Sequence, residues 1–215
     1  MKVLYTAIIF TLLSVSLHAQ NDWEIPEENK AISEIIDSID SKIANDNPDS
    51  KYLEGAVPMV NGEIYFTQSI ETHGNAEENF SRMMSCLATM AKDKDQLPES
   101  RISLVNKGKH SIVAHFEEWM VFKSSLFELD KARFIYNILA ECEDNMVNIK
   151  LFRISYHYEG NDRQGKKIYK AESWISDKEA LTKKKDRLRK GTGKFRRKTI
   201  DRIESIFNNI KYELK

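Results

Sequence analysis

Alternating apolar and polar residues dominate the middle of this chain. From Arg101 onward the period is two, which predicts four β-strands at 101–106, 111–123, 131–141 and 146–158. In the third strand one set of alternate positions is apolar: Ala132, Phe134, Tyr136, Ile138, Ala140 and Cys142. Arg133, Asn137 and Glu141 take the other positions, so we expect one face of the sheet to be wet. The short connections between these strands predict antiparallel neighbours.

The segments on either side of these strands predict one further strand and several helices. Residues 63–71 alternate after an Asn61-Gly62 turn and predict a first strand, and residues 76–92 have helical periodicity. Residues 194–214 form a second amphipathic pattern. The resulting order, β-α-β-β-β-β followed by C-terminal helices, predicts an α+β fold with an antiparallel sheet of about five strands and helices on one face.

A basic segment at about 176–214 is predicted to be helical throughout, with one interruption. Ser176 and Glu179 have the spacing of a capping box, which predicts a helix from about Asp177. Gly191-Thr192-Gly193 interrupts it, and the glycines would supply a left-handed C-cap. A phosphate-binding loop is excluded, because Phe195 stands where that motif requires Ser or Thr after the lysine.

The N-terminal residues predict the subcellular location of the protein. Met1-Lys2 precedes an apolar run of about 15 residues, shorter than the roughly 20 that span a bilayer. We therefore interpret residues 1–19 as a signal peptide cleaved near Ala19-Gln20, with a secreted or periplasmic product that has no transmembrane segment. A short membrane anchor is the alternative. The first cysteine is Cys86, so no cysteine near the cleavage point could carry a lipid.

Acidic and basic residues are unevenly distributed along the rest of the chain. Residues 20–50 predict an acidic amphipathic arm with a stripe of isoleucines, ahead of a single domain at 51–215. Residues 21–54 hold ten acidic and three basic residues, whereas residues 178–202 hold twelve basic and three acidic ones. The two ends either pair with each other or leave a basic face for an acidic partner.

The basic segment is the strongest chemical signal. Its candidate anion-binding residues are Lys183, Lys184, Arg187, Lys190, Arg196 and Arg197. The alternatives are a solvated face or pairing with the N-terminal acids. Nucleic acid is not an expected partner, because Phe195 is the only aromatic residue in the run and base stacking needs more.

The wet face of the second long strand offers a different set of candidates. His115, Glu117 and Trp119 share that face and are candidate sheet-face contacts with a partner. His115 and Glu117 could ligate a metal, but no further ligand joins them, so no metal site, cofactor or catalytic residue is predicted. Cys86 and Cys142 either pair as a disulfide or are buried as small apolar side chains.

Three segments carry a resemblance to a known family. They are Tyr52-Leu53-Glu54-Gly55-Ala56-Val57-Pro58, Trp174-Ile175-Ser176-Asp177-Lys178-Glu179-Ala180-Leu181 and Gly193-Lys194-Phe195-Arg196-Arg197-Lys198-Thr199-Ile200-Asp201. Together they resemble the secreted bacterial proteins of the domain-of-unknown-function 4468 family, which has a TATA-binding-protein-like fold. The resemblance implies a curved antiparallel sheet and a location outside the cytoplasm. It supplies no catalytic residues, and the fold name does not imply DNA binding.

These observations favour a non-enzymatic secreted or periplasmic domain that binds a partner protein or ligand. One alternative is an envelope-surface binder that uses the basic segment on anionic glycolipid. Another is an unrecognised hydrolase, because paired acids need not be adjacent in sequence. The sequence leaves the ligand and the oligomeric state open.

Overall fold

The structure is a computed structural model that describes residues 47–124, 129–158 and 167–215. The predicted signal peptide lies outside the described residues, as does the predicted arm up to residue 46. Residues 47–215 form one compact unit. That unit begins four residues before the predicted domain boundary at residue 51, because Asn47 and Asp49 already contact the C-terminal part of the chain.

Eight strands are found among the described residues. They are β1 (Met59–Val60), β2 (Glu63–Ile64), β3 (Phe66–Glu71), β4 (Arg101–Asn106), β5 (Ser111–Ser124), β6 (Leu129–Glu143), β7 (Met146–Tyr158) and β8 (Lys167–Lys170). β1 and β2 form a small hairpin whose turn, Asn61-Gly62, has positive φ angles of 52° and 81°. This confirms the predicted turn, because that dipeptide tolerates the left-handed region.

The main sheet has six antiparallel strands. Its order is β3-β7-β6-β5-β4, and β8 also pairs with β7. The predicted α+β class and antiparallel pairing are therefore confirmed. The sheet has one strand more than the expected five, because β8 is only four residues long and gives too weak an alternation to be recognised.

The described residues include three α-helices: α1 (Ala76–Met90), α2 (Asp177–Ala180) and α3 (Gly193–Leu214). α1 begins at Asn75, whose side chain accepts from the Glu78 amide while the Glu78 side chain accepts from the Asn75 amide. α1 and α3 pack on one face of the sheet, as predicted. The six alternate apolar residues of β6, from Ala132 to Cys142, all point into this core and are buried.

The predicted helix over 177–190 is wrong. α2 is a single turn, and the Ser176 side chain makes no capping bond. The chain then folds back so that Leu181 pairs with Leu188 in an isolated bridge. The physical reason is that no apolar residue lies between those two leucines, so a helix would have no face to bury there. Gly191 and Gly193 have no positive φ and serve no left-handed cap.

Cys86 and Cys142 are both buried and unpaired. The alternative of two small apolar side chains is the one observed, and the disulfide does not form. Burial raises the pKa of each thiol to about 11.

Candidate functional site

The face of the sheet opposite the helices is open. No described element packs across it, and its side chains come from the alternate positions that are not buried in the core. Cross-strand register arranges these side chains in rows. One row joins Arg101, His115, Asn137 and Phe152, a second joins Glu117, Ile135 and Ser155, and a third joins Trp119, Arg133, His157 and Ile168.

A chain of polar contacts crosses the centre of this open face. His115 Nδ1 lies 2.9 Å from Asn137 Oδ1, and its Nε2 lies 3.1 Å from Glu117 Oε1. Arg133 Nη2 lies 3.3 Å from Glu117 Oε2 and donates to Glu99 Oε1 at 2.6 Å. That hydrogen bond lowers the pKa of Glu99. The network therefore holds five side chains from three parts of the chain in one arrangement.

Three buried polar atoms in or beside this network have no hydrogen-bond partner among the described residues. Glu117 Oε2 is within ion-pair distance of Arg133 but outside hydrogen-bond geometry, and Arg133 Nε and His157 Nε2 are also unpartnered. A buried polar group without a partner costs roughly 1–3 kcal/mol. A ligand or partner that supplied the missing contacts would recover that free energy.

Exposed apolar side chains surround the polar centre. Trp119 is 45% exposed, and the Lys131 ammonium lies 3.6 Å from its ring centroid, which fixes the indole by a cation–π contact. Leu104 is 69% exposed near one edge, and Val121 and Ile168 are also exposed. The open face thus combines fixed polar groups with apolar surface.

The alternation of β5 placed His115, Glu117 and Trp119 on one face, and the structure brings all three together there. Sequence reasoning missed Glu99, which reaches the network from the segment before β4. It named Arg133 and Asn137 only as outward-facing residues. The register of β5 and β6 pairs His115 with Asn137 and Trp119 with Arg133. A prediction of that register would therefore have identified Asn137 and Arg133 as neighbours of the candidate residues.

The candidate anion-binding residues divide into two groups. Lys183, Lys184, Arg187 and Lys190 are exposed on the irregular segment between α2 and α3. Arg196 and Arg197 are engaged instead. Arg197 pairs with Asp49 and is partly exposed, whereas Arg196 is fully buried, so the predicted anion-binding role is wrong for Arg196.

Arg196 is the centre of a buried junction. Its Nε donates to the Tyr52 carbonyl at 2.5 Å, and its Nη1 donates to the Ile175 carbonyl at 2.7 Å. Its Nη2 donates to the Leu53 carbonyl at 2.5 Å and to Asp177 Oδ1 at 2.6 Å. The three segments that carried the family resemblance therefore meet at this side chain. Burial lowers the pKa of Arg196, and Asp177 opposes that shift.

Neither a metal site nor a membrane-spanning helix is found in the described ranges. No group of three or more His, Cys, Asp or Glu side chains there is arranged to hold a metal ion. Within the same ranges, no helix is long and apolar enough to cross a membrane.

Comparison with known proteins identifies the family. Residues 62–157 match the family described as "Domain of unknown function (DUF4468) with TBP-like fold". A DUF4468 family protein from Bacteroides ovatus ATCC 8483 is 32% identical, with 77% of this chain and 94% of that one covered and a TM-score of 0.70. A TBP-like protein from Parabacteroides distasonis ATCC 8503 is similar in fold, at 22% identity, 74% and 96% coverage and a TM-score of 0.58. No curated protein matches. The chain belongs to the DUF4468 family.

Proposed function

We propose that this protein is a non-enzymatic binding module that acts outside the cytoplasm and contacts a partner protein through the open face of its sheet. The observation that carries the proposal is the polar network from His115 to Glu99, with its unpartnered atoms, beside the exposed Trp119. The network is held in place before binding, which reduces the entropy lost on association.

The composition of the open face favours a protein partner. Tryptophan and arginine are the residues most enriched at interface hot spots, and here Trp119 and Arg133 lie directly opposite each other on neighbouring strands. Apolar side chains around a polar centre are common at protein interfaces. The extracytoplasmic part of the proposal is supported by the apolar stretch at residues 3–17 and by the polar residues that follow it.

The partner is tested by capture from the envelope fraction with tagged protein. We expect Trp119→Ala to reduce the captured partner at least tenfold, since central aromatic anchors contribute about 2 kcal/mol or more. Tyr212→Ala is the matched control, because Tyr212 is also an exposed aromatic residue but lies on α3. Equal capture by both variants would contradict the proposal. Cell fractionation tests the proposed location outside the cytoplasm. Full-length protein in the cytoplasmic fraction would contradict it.

Four exposed cations support a second candidate function, which is binding to anionic glycolipid. Lys183, Lys184 and Lys190 have no ion-pair partner within the described part of the chain, and Arg187 lies 3.7 Å from Asp186. Each cation near an anionic surface contributes on the order of 1 kcal/mol. We expect weak co-sedimentation with anionic vesicles that disappears at high salt. Replacing all four residues with glutamine should abolish it, and salt-independent binding would contradict this function.

Catalysis forms no part of the proposal. A hydrolase would need free ionisable groups that converge in one cleft. Glu118, a buried acid that lines a cleft in the described part of the chain, is already paired with Arg202 through two hydrogen bonds.

A further inference from the structure

A cleft of about 630 Å³ lies alongside β5, beyond the stretch of that strand that pairs with β4. It is bounded by the segment 94–97, by β5 at residues 118–121 and by α3 at Lys198 and Arg202. Its volume falls within the usual range for small-molecule sites. Leu97, Met120, Val121 and Phe134 give it an apolar wall, and the Trp119 ring borders it.

An acidic side chain at an inward position of β5 marks the base of this cleft. Glu118 follows Ile112, Ala114 and Phe116 on the core face, yet it is only 5% exposed. Arg202 donates to both of its carboxylate oxygens at 2.7 Å, and Gln96 donates to Oε2 at 2.8 Å. This bidentate pair fixes the guanidinium plane of Arg202. The third nitrogen of that group, Nη1, contacts neither Glu118 nor Gln96 by a hydrogen bond.

A second polar group near the pair is unsatisfied. Tyr136 is fully buried, and its hydroxyl has no hydrogen-bond partner among the described residues. Burial and the neighbouring Glu118 carboxylate raise the pKa of Tyr136, so the hydroxyl keeps its proton. A fully buried hydroxyl without a partner is unusual in a folded domain. Tyr136 does not itself line the cleft, so a ligand there would be recognised by the side chains that do.

The charge at the mouth of the cleft indicates the sign of that molecule. Lys94 and Lys198 line it and have no ion-pair partner in the described ranges. Asp95 is the one acid of the lining that is not committed to Arg202. The lining holds three cations, Lys94, Lys198 and Arg202, against the two acids Asp95 and Glu118, so its net positive charge favours an anion.

We propose that this cleft binds an amphipathic anion, a small molecule with an apolar body and one carboxylate or sulfonate group. The anionic group contacts Lys198 and Arg202, and the apolar body lies against Val121, Phe134 and Trp119. The Glu118–Arg202 pair acts as a positioning pair, because it orients the guanidinium without giving up its own hydrogen bonds.

Calorimetric titration of the purified full chain with octanoate tests this proposal. Octyltrimethylammonium has an apolar tail of similar length with a cationic head and should bind at least tenfold more weakly. Lys94→Gln combined with Lys198→Gln should raise the octanoate dissociation constant about tenfold, which corresponds to about 1.4 kcal/mol. Lys211→Gln is the matched control, since it removes an exposed lysine of the same helix outside the cleft.

A substitution in the apolar wall of the cleft provides an independent test of the proposal. Val121→Glu places a negative charge beside the anion and should abolish octanoate binding, whereas Val60→Glu alters a similarly exposed valine on β1 and should not. Thermal unfolding of each variant shows that it remains folded. The proposal is overturned if octanoate does not bind, if the cationic amphiphile binds equally well, or if the cleft variants bind like their controls.

Discussion

At the scale of single residues, burial separates cations that are alike in sequence. Arg196 and Arg197 are adjacent, but Arg196 is enclosed by three carbonyl groups and Asp177, whereas Arg197 makes a partly exposed ion pair with Asp49. The sequence shows both as members of one basic run. Its periodicity cannot reveal which of them points inward, because the carbonyls that Arg196 contacts come from segments more than twenty residues away in the chain.

Arg196→Met should be strongly destabilising. Removing one partner of a buried ion pair typically costs about 3–5 kcal/mol, and here it also strands three buried carbonyl groups. Arg197→Met is the matched control and should cost about 1 kcal/mol or less, because exposed pairs contribute little. Urea denaturation measures both free energies of unfolding. Similar values for the two variants would show that the Arg196 junction does not hold the domain together.

The buried thiols predict a loss of stability at alkaline pH. Cys86 and Cys142 have pKa values of about 11 in the folded protein, against 9.0 for an exposed thiol. The folded state therefore keeps protons that the unfolded state releases, so the free energy of unfolding should fall as the pH rises from about 9 to 11. The variant with both cysteines replaced by alanine should show a shallower fall than the wild type. Parallel curves from chemical denaturation at each pH would contradict this prediction.

At the scale of elements, sequence periodicity succeeded where one face of an element is buried. β4 and β7 have the predicted bounds, and β5 and β6 differ by at most two residues at either end. The helix predicted over 177–190 does not form, because residues 182–187 carry no apolar stripe. The shape of this stretch is set instead by the Leu181–Leu188 bridge and by backbone hydrogen bonds within it, such as the one from the Arg189 amide to the Ala180 carbonyl, which leave no periodic signal. The same holds for the candidate site: its residues on β5 were predictable, but Glu99 was not.

Gly193 provides a test of this irregular segment. A Cβ atom at Gly193 would lie 2.7 Å from the Leu188 Cβ, so Gly193→Ala should force the segment away from the start of α3 at a cost of about 1–3 kcal/mol. Gly191 has open space at the same position. Gly191→Ala should therefore be neutral or stabilise by up to about 1 kcal/mol. Thermal unfolding distinguishes the two, and equal melting temperatures would refute the close approach.

At the scale of the whole molecule, opposite charges join the two ends of the compact unit. Asp49 pairs with Arg197, Glu54 with Lys185 and Lys51 with Asp201. Pairing between the ends was one of the alternatives that the charge distribution left open, and residues 49–54 adopt it. Because these pairs are exposed, the hydrogen bonds of Tyr52 and Leu53 to Arg196 contribute more to the attachment.

This attachment predicts where the domain can be shortened. A chain of residues 47–215 should unfold cooperatively, since it retains every described contact of the N-terminal segment. A chain that begins at Gly55 lacks the two carbonyls that Arg196 binds and should melt at a clearly lower temperature. Calorimetry measures both transitions. An unchanged melting temperature in the shorter chain would place the true boundary after Leu53.

The Arg196 junction also has a consequence for the order of events during synthesis. Translation produces the partners of Arg196, which lie at 52, 53, 175 and 177, before Arg196 itself. A growing chain can pair its long strands early, yet it cannot close the Arg196 junction until the start of α3 has left the ribosome. For a chain that is exported, as proposed here, late closure prolongs the open state in which a polypeptide can still be threaded across a membrane.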